Sequence, residues 1–95
     1  MDHVQIAEKV DEAAVFAWLK TYISNVLGMD QASIKGSDGL DSLGLDSALT
    51  TALAMDLETW LGVEIPLAIL FEAETLDNIA TGVAREAERQ HATAG

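Results

Sequence analysis

The spacing of apolar residues narrows the fold of this chain more than any other feature. From Val4 to Leu27 they recur every three or four positions, at Ile6, Val10, Ala13, Phe16, Ala17, Leu19, Ile23, Val26 and Leu27, which is the period of a helix with one buried face. The same period returns at Leu49, Leu53, Leu57, Trp60 and Leu61, and again at Leu76, Ile79, Ala80 and Val83. No segment shows the alternation of a half-buried strand, and no repeat is present. Gly28 and Gly62 follow the last periodic residue of the first two runs, where a glycine adopts the left-handed conformation cheaply. Asp11 and Glu12 make a good acidic first turn, so residues 1–9 read as an N-terminal extension or the frayed start of helix one. Met29 to Asp46, with Gly36, Gly39 and Gly44, reads as a long loop pinned by Ile34, Leu40 and Leu43; connections of this length tend to be functional. Ser47 to Leu61 is the second helix. Pro66 pushes Ile65 out of the helical region, so Val63 to Pro66 is extended, and Leu67 to Phe71 is a short third helix. Thr75 caps a last helix, with Arg85 and Arg89 favouring its C-terminal end. The expected fold is all-α: a four-helix bundle of three longer helices and one short one, with the domain over residues 10–90 and a flexible tail over 91–95. Trp18 and Trp60, both in helical apolar runs, are expected to pack in the core.

Ninety-five residues make one small domain, with no room for a second domain around a deep active site. The chain lacks the roughly 18 consecutive apolar residues of a membrane span. Its start, Met1-Asp2-His3-Val4, is unlike a secretory signal, so the cytoplasm is the expected location. Sixteen Asp and Glu against five Lys and Arg give a formal charge of −11, the wrong sign for nucleic acid or an anionic membrane. Between Gly36 and Ala84 lie Asp38, Asp41, Asp46, Asp56, Glu58, Glu64, Glu72, Glu74 and Asp77 and no Lys or Arg. Such a stretch keeps a small protein soluble and monomeric, and it also suits basic protein partners.

The chemistry available to the chain itself is narrow. Without cysteine there is no disulfide, thiolate nucleophile or cysteine-based zinc site. The two histidines, His3 and His91, lie near opposite ends of the sequence, which leaves no base for a serine triad and no metal-ligand spacing. Asp38, Asp41 and Asp46 fall in a solvated loop, where nothing separates their pKa values for acid–base work. The loop glycines lack the Lys and preceding strand of a phosphate-binding loop. The chain is therefore expected not to be an enzyme and not to hold a metal. Ser47 remains, at the start of a helix: either it or Asp46 caps that helix, or its hydroxyl carries a phosphate ester, whose charge a helix N-terminus favours.

The run Leu43-Gly44-Leu45-Asp46-Ser47, then Leu61-Gly62-Val63-Glu64-Ile65-Pro66, Leu70-Phe71 and Thr75-Leu76, resembles the acyl carrier proteins, in particular the carrier domains of polyketide synthases. Gly-Leu-Asp-Ser alone is a weak signal; Gly62 and Pro66, fifteen and nineteen residues after Ser47, are the specific part. The resemblance covers roughly Val10 to Glu86. It implies that a phosphopantetheinyl transferase, using magnesium, attaches 4′-phosphopantetheine from coenzyme A to Ser47, making a phosphoprotein whose cofactor thiol carries acyl groups as thioesters. The sulfur missing from the chain would come from the cofactor, and the catalysis from ketosynthase, acyltransferase and other synthase domains. It further implies that these partners meet Leu45, Asp46, Ala48, Thr51, Met55, Asp56, Glu58 and Thr59 on and around the exposed face of the second helix. Asp41-Ser42-Leu43 is a second serine in similar company, but taking Ser42 as the site would displace both landmarks by five residues and put Gly44 inside the helix. The chain departs from the family at Ala48, where Leu or Met is usual, and at Glu74, where proline is common. Peptidyl carriers usually show Gly-Gly-His/Asp-Ser instead. A fatty-acid carrier fits Leu70-Phe71 and Thr75 less well, and an unmodified helical interaction module would leave Ser47 as a cap only.

Overall fold

A computed structural model describes residues 11–94, with side chains to His91. Val4, Ile6 and Val10, the first residues of the expected period, lie outside that range. Among the described residues there are five α-helices and no strand: α1 (Glu12–Leu27), α2 (Leu40–Leu43), α3 (Ser47–Leu61), α4 (Leu67–Glu72) and α5 (Leu76–Ala94), with a 3₁₀ turn at Gln31–Ser33. The all-α bundle is the expected one. None of these helices is long and apolar enough to cross a membrane.

Each long helix begins and ends where local chemistry dictates. Asp11 caps α1 by accepting from the Ala14 amide at 3.0 Å, and Gly28, at φ 68°, closes it with its N–H on the Ser24 carbonyl. Gly62, at φ 70°, closes α3 on Glu58 in the same way. Thr75 accepts from the Asn78 amide at 3.1 Å and starts α5. Two loop carbonyls complete that start, Asp38 accepting from the Leu76 amide and Gly36 from the Asp77 amide. The long connection is thereby stitched across the N-terminus of α5. A methyl group at Gly36 would overlap the Asp77 carboxylate, which would have to turn aside to make room.

The core is built from one stripe per helix. Val15, Leu19 and Ile23 of α1, Leu53, Ala54, Leu57 and Leu61 of α3, Leu70 of α4, and Leu76, Ile79, Ala80, Val83, Ala84 and Ala87 of α5 are all buried. Leu40 of α2 joins them, as do Ile34 and Ile65 from the connections. α1 packs along α5, and α4 bridges α3 and α5.

Several expectations require correction. The stretch Met29–Asp46 is not a plain loop, because it holds the 3₁₀ turn and α2. The buried stripe of α1 runs through Val15, Leu19 and Ile23, whereas Ala13, Ala17 and Val26 of the expected series are exposed. Residues 91–94, expected as a tail, continue α5 as helix. Trp60 is not a core residue: it is 41% exposed and stacks on Trp18 at 5.4 Å, which in turn stacks on Tyr22 at 5.0 Å. Trp18 is the half-buried middle ring of that ladder. Burial, then the Asp56 carboxylate beside it, pushes the Tyr22 hydroxyl above its ordinary pKa.

The last turns of α5 are tied down by polar contacts. Gln90 exchanges two hydrogen bonds with the Glu64 backbone, at 3.0 and 2.7 Å, and donates to Glu86. Arg89, with help from Gln90, holds the Glu86 carboxyl below its usual range.

Candidate functional site

Ser47 is the first residue of α3, and the chain reaches it through a sharp turn. Gly44, at φ 102°, ends α2; its amide and that of Leu45 both return to the Leu40 carbonyl, at 3.1 and 2.9 Å. This closure sends Leu45 into the core, where it is 3% exposed. Leu45 therefore cannot belong to an exposed recognition face, contrary to expectation. It occupies the position just before the cap, from which an apolar side chain packs back on the first turn of the helix. Asp46 is extended and caps α3, its carboxylate accepting from the Leu49 amide at 2.9 Å.

The two serines of this region differ in what their hydroxyls do. Ser42 both accepts from the Gly39 amide and donates to the Gly39 carbonyl, each at 2.9 Å; it is a fastener for α2. Ser47 is exposed, and its hydroxyl has no hydrogen-bond partner among the described residues. Because Asp46 does the capping, the Ser47 oxygen is left free. Its carbonyl accepts from the Thr51 hydroxyl at 2.8 Å. The amides of Ser47 and Ala48 have no partner among the described residues, as expected for a helix start. A phosphate ester on this oxygen would meet the positive end of a fifteen-residue helix. The residues present thus fit a covalently attached phosphodiester arm.

Beside Ser47 opens a groove of about 460 Å³ between α2, the start of α3 and α4. It is lined by the apolar residues Leu40, Leu45, Leu70 and Phe71 and by the acidic residues Asp41, Asp46, Glu72 and Glu74. Thr50, 3% exposed, also lines it. Sequence reading passed over Thr50 and the groove role of Phe71. The available signal for Thr50 was a lone hydroxyl inside the apolar stripe of α3, one turn beyond Ser47.

The other residues expected to meet partners separate into two groups. Ala48, Met55, Asp56 and Thr59 are exposed on α3, Met55 at 61%. Thr51 is half-buried, and Glu58, also half-buried, spends one carboxylate oxygen on the Ile65 amide at 2.8 Å. Glu58 thus anchors the α3–α4 connection. No group of three or more His, Asp or Glu side chains among the described residues is placed to hold a metal.

Removing the Asp46 carboxylate tests the division of labour at the helix start. Asp46→Ala is expected to lower stability by about 1 kcal/mol, equivalent to about 4–8 °C in Tm for a domain of this size, measured by thermal circular dichroism.

The bundle thus displays a free serine hydroxyl at the start of a long helix, where another protein can reach it. The chain belongs to the phosphopantetheine attachment site family, which it matches over residues 17–83. No curated protein matched the chain. Members of this family bear covalent 4′-phosphopantetheine and serve as non-catalytic carriers of acyl or peptidyl intermediates. They interact with synthase enzymes and with a phosphopantetheinyl transferase.

Proposed function

We propose that this protein is an acyl carrier of polyketide assembly and that Ser47 is its attachment point. The observation that carries the choice of residue is the contrast between the two hydroxyls: Ser47 is exposed and free, while Ser42 is engaged on both sides by Gly39. The cofactor supplies a thiol at the end of a flexible arm, and the thioester formed there presents the carried group to partner enzymes. The chain's own residues hold the arm's root. α3 fixes the position of the serine oxygen, Asp46 keeps the helix start closed, and the buried core lies behind it. Tethering raises the local concentration of the carried group at whichever partner is docked.

The polyketide assignment rests on the resemblance at Gly44-Leu45-Asp46-Ser47, Leu70-Phe71 and Thr75. It is tested by offering the modified protein malonyl-coenzyme A with a polyketide acyltransferase and, separately, amino acids with adenylation domains of peptide synthesis. Loading by the first and not the second is expected; the reverse preference makes the protein a peptidyl carrier.

Ala48, Met55 and Asp56, exposed beyond Ser47, would form the docking face for the transferase, ketosynthase and acyltransferase, with Asp46 and Thr51 at its edge. Asp56 contributes charge to this face and sits against Tyr22. Asp56→Asn is expected to slow association with a basic partner roughly two- to fivefold at low salt, and the difference should vanish at high salt. Stopped-flow association rates that are independent of salt in both proteins would refute charge-assisted docking.

A further inference from the structure

Helices α1 and α3 meet at the surface through side chains more than through their backbones, since α1 packs along α5. Three aromatic rings fill that seam. Tyr22, Trp18 and Trp60 stack in that order, with centroids 5.0 and 5.4 Å apart and planes within 17° and 9° of parallel. Trp60 is an end ring: one face lies on Trp18, and its 41% exposure falls on the outer face and edges. Asp56, one helical turn before Trp60, is exposed and stands beside the Tyr22 hydroxyl. It forms no ion pair with a described residue. The one cation of α1, Lys20, lies instead over the Phe16 ring, 5.5 Å from its centroid.

The rest of this face is uncharged, in a chain of formal charge −11. On α1 the exposed or half-buried residues one turn from Trp18 or Tyr22 are Ala14, Thr21, Asn25 and Val26. Asp56 is therefore the single charge beside the rings. A neutral, aromatic patch on an otherwise acidic surface is the mark of a protein contact, and tryptophan, tyrosine and arginine are the residues that most often dominate binding there. The open indole and the carboxylate one turn away select the covering group. A guanidinium is planar, so it stacks on the indole while its N–H groups donate to the carboxylate. An ammonium gains the charge without the stacking. A second copy of this chain would set one Asp56 and eleven net negative charges against another.

We propose that Trp60 and Asp56 form a docking site for an arginine of a protein partner, with Trp18 and Tyr22 holding the receiving indole in place. The site lies thirteen residues along α3 from Ser47, about 20 Å at 1.5 Å per residue, so the arginine seat and the serine are separate points of contact. The proposal rests on α3 carrying the docking face, as proposed above, and names the group recognised there.

The test uses the ¹⁵N-labelled full chain, whose only indole N–H groups, on Trp18 and Trp60, report on the ladder directly. It is titrated with a blocked arginine–glycine peptide and, separately, with the lysine–glycine peptide of equal length and charge. The arginine peptide is expected to shift the Trp60 indole and the Asp56 amide most, and to bind about two- to fivefold more tightly than the lysine peptide. Trp60→Leu should abolish that preference. Asp56→Asn, which leaves the ladder in place, should abolish it as well, so the result stands even if Trp60→Leu proves poorly folded by circular dichroism. Equal affinities for the two peptides, a preference that survives Asp56→Asn, or shifts concentrated at Glu72 and Glu74 would overturn the proposal. Trp60 shifts that grow with protein concentration alone would also overturn it, since a second copy would then cover the ladder. If the peptides behave alike while Asp56→Asn still slows association with a basic partner, charge-assisted docking stands and the arginine site falls.

Discussion

Ser47→Ala is expected to abolish modification outright. Incubated with coenzyme A, magnesium and a broad-specificity phosphopantetheinyl transferase, the unaltered protein should gain one phosphopantetheine by intact mass, and the variant none. The predicted loss is complete because the attacking oxygen itself is gone, and no neighbouring hydroxyl is placed to replace it. Ser42 lies on α2, its hydroxyl held by the Gly39 amide and carbonyl; Thr50 is buried, and the Thr51 hydroxyl bonds back to the Ser47 carbonyl. Ser42→Ala should therefore keep the full increment. That variant loses the fastening of α2, worth about 0.5–1.5 kcal/mol for a typical hydrogen bond, so its fold is checked by circular dichroism beside the mass. An increment that survives in Ser47→Ala and disappears in Ser42→Ala would move the site to Asp41-Ser42-Leu43.

The largest effect on stability is expected at Leu57. This residue of α3 is fully buried in the core. Leu57→Ala removes apolar surface and leaves a cavity that a close-packed interior cannot fill, at a cost of about 2–5 kcal/mol. For a domain whose whole stability is about 5–15 kcal/mol, this is a large fraction of the total. Met55, two residues earlier on the same helix, is 61% exposed, and Met55→Ala should change stability by no more than about 0.5 kcal/mol. Urea unfolding of the two variants side by side measures the difference. Similar midpoints for both would mean that α3 does not present the face described.

The extent to which the sequence disclosed this architecture varied with how local the determining contacts are. Helix α3 and the first turns of α5 were legible because their apolar period, glycine stop and threonine cap are all contained within the segment itself. Helix α2 was not. Four residues between two glycines carry no period, and what stabilises them is partly tertiary: the burial of Leu40, together with the closure of Gly44 and Leu45 on its carbonyl. Leu45 was misplaced because a helical face was extended one residue past the cap. Asp46 is extended, with φ −85° and ψ −175°, so the preceding residue does not follow the helical rotation. Trp60 lies on the border of the buried stripe of α3, and only the presence of Trp18 and Tyr22 on α1 decides that it stacks across the surface. The groove was invisible for a similar reason. Phe71 and Glu74 lie more than twenty residues from Ser47 and Thr50 in sequence, and it is the packing of α4 against α3 that brings the two pairs together. In contrast, the serine itself needed no tertiary information beyond the landmarks at Gly62 and Pro66, since a helix start is a local feature.

Locating the modification within the chain tests the central claim most directly. The modified protein is digested, and the peptide spanning Asp41 to Glu58 is fragmented by tandem mass spectrometry, so that Ser42 and Ser47 fall in different fragment ions. The account predicts that the phosphopantetheine mass, and its characteristic loss on activation, are confined to fragments containing Ser47. A modified fragment that contains Ser42 and ends before Ser47 would contradict it.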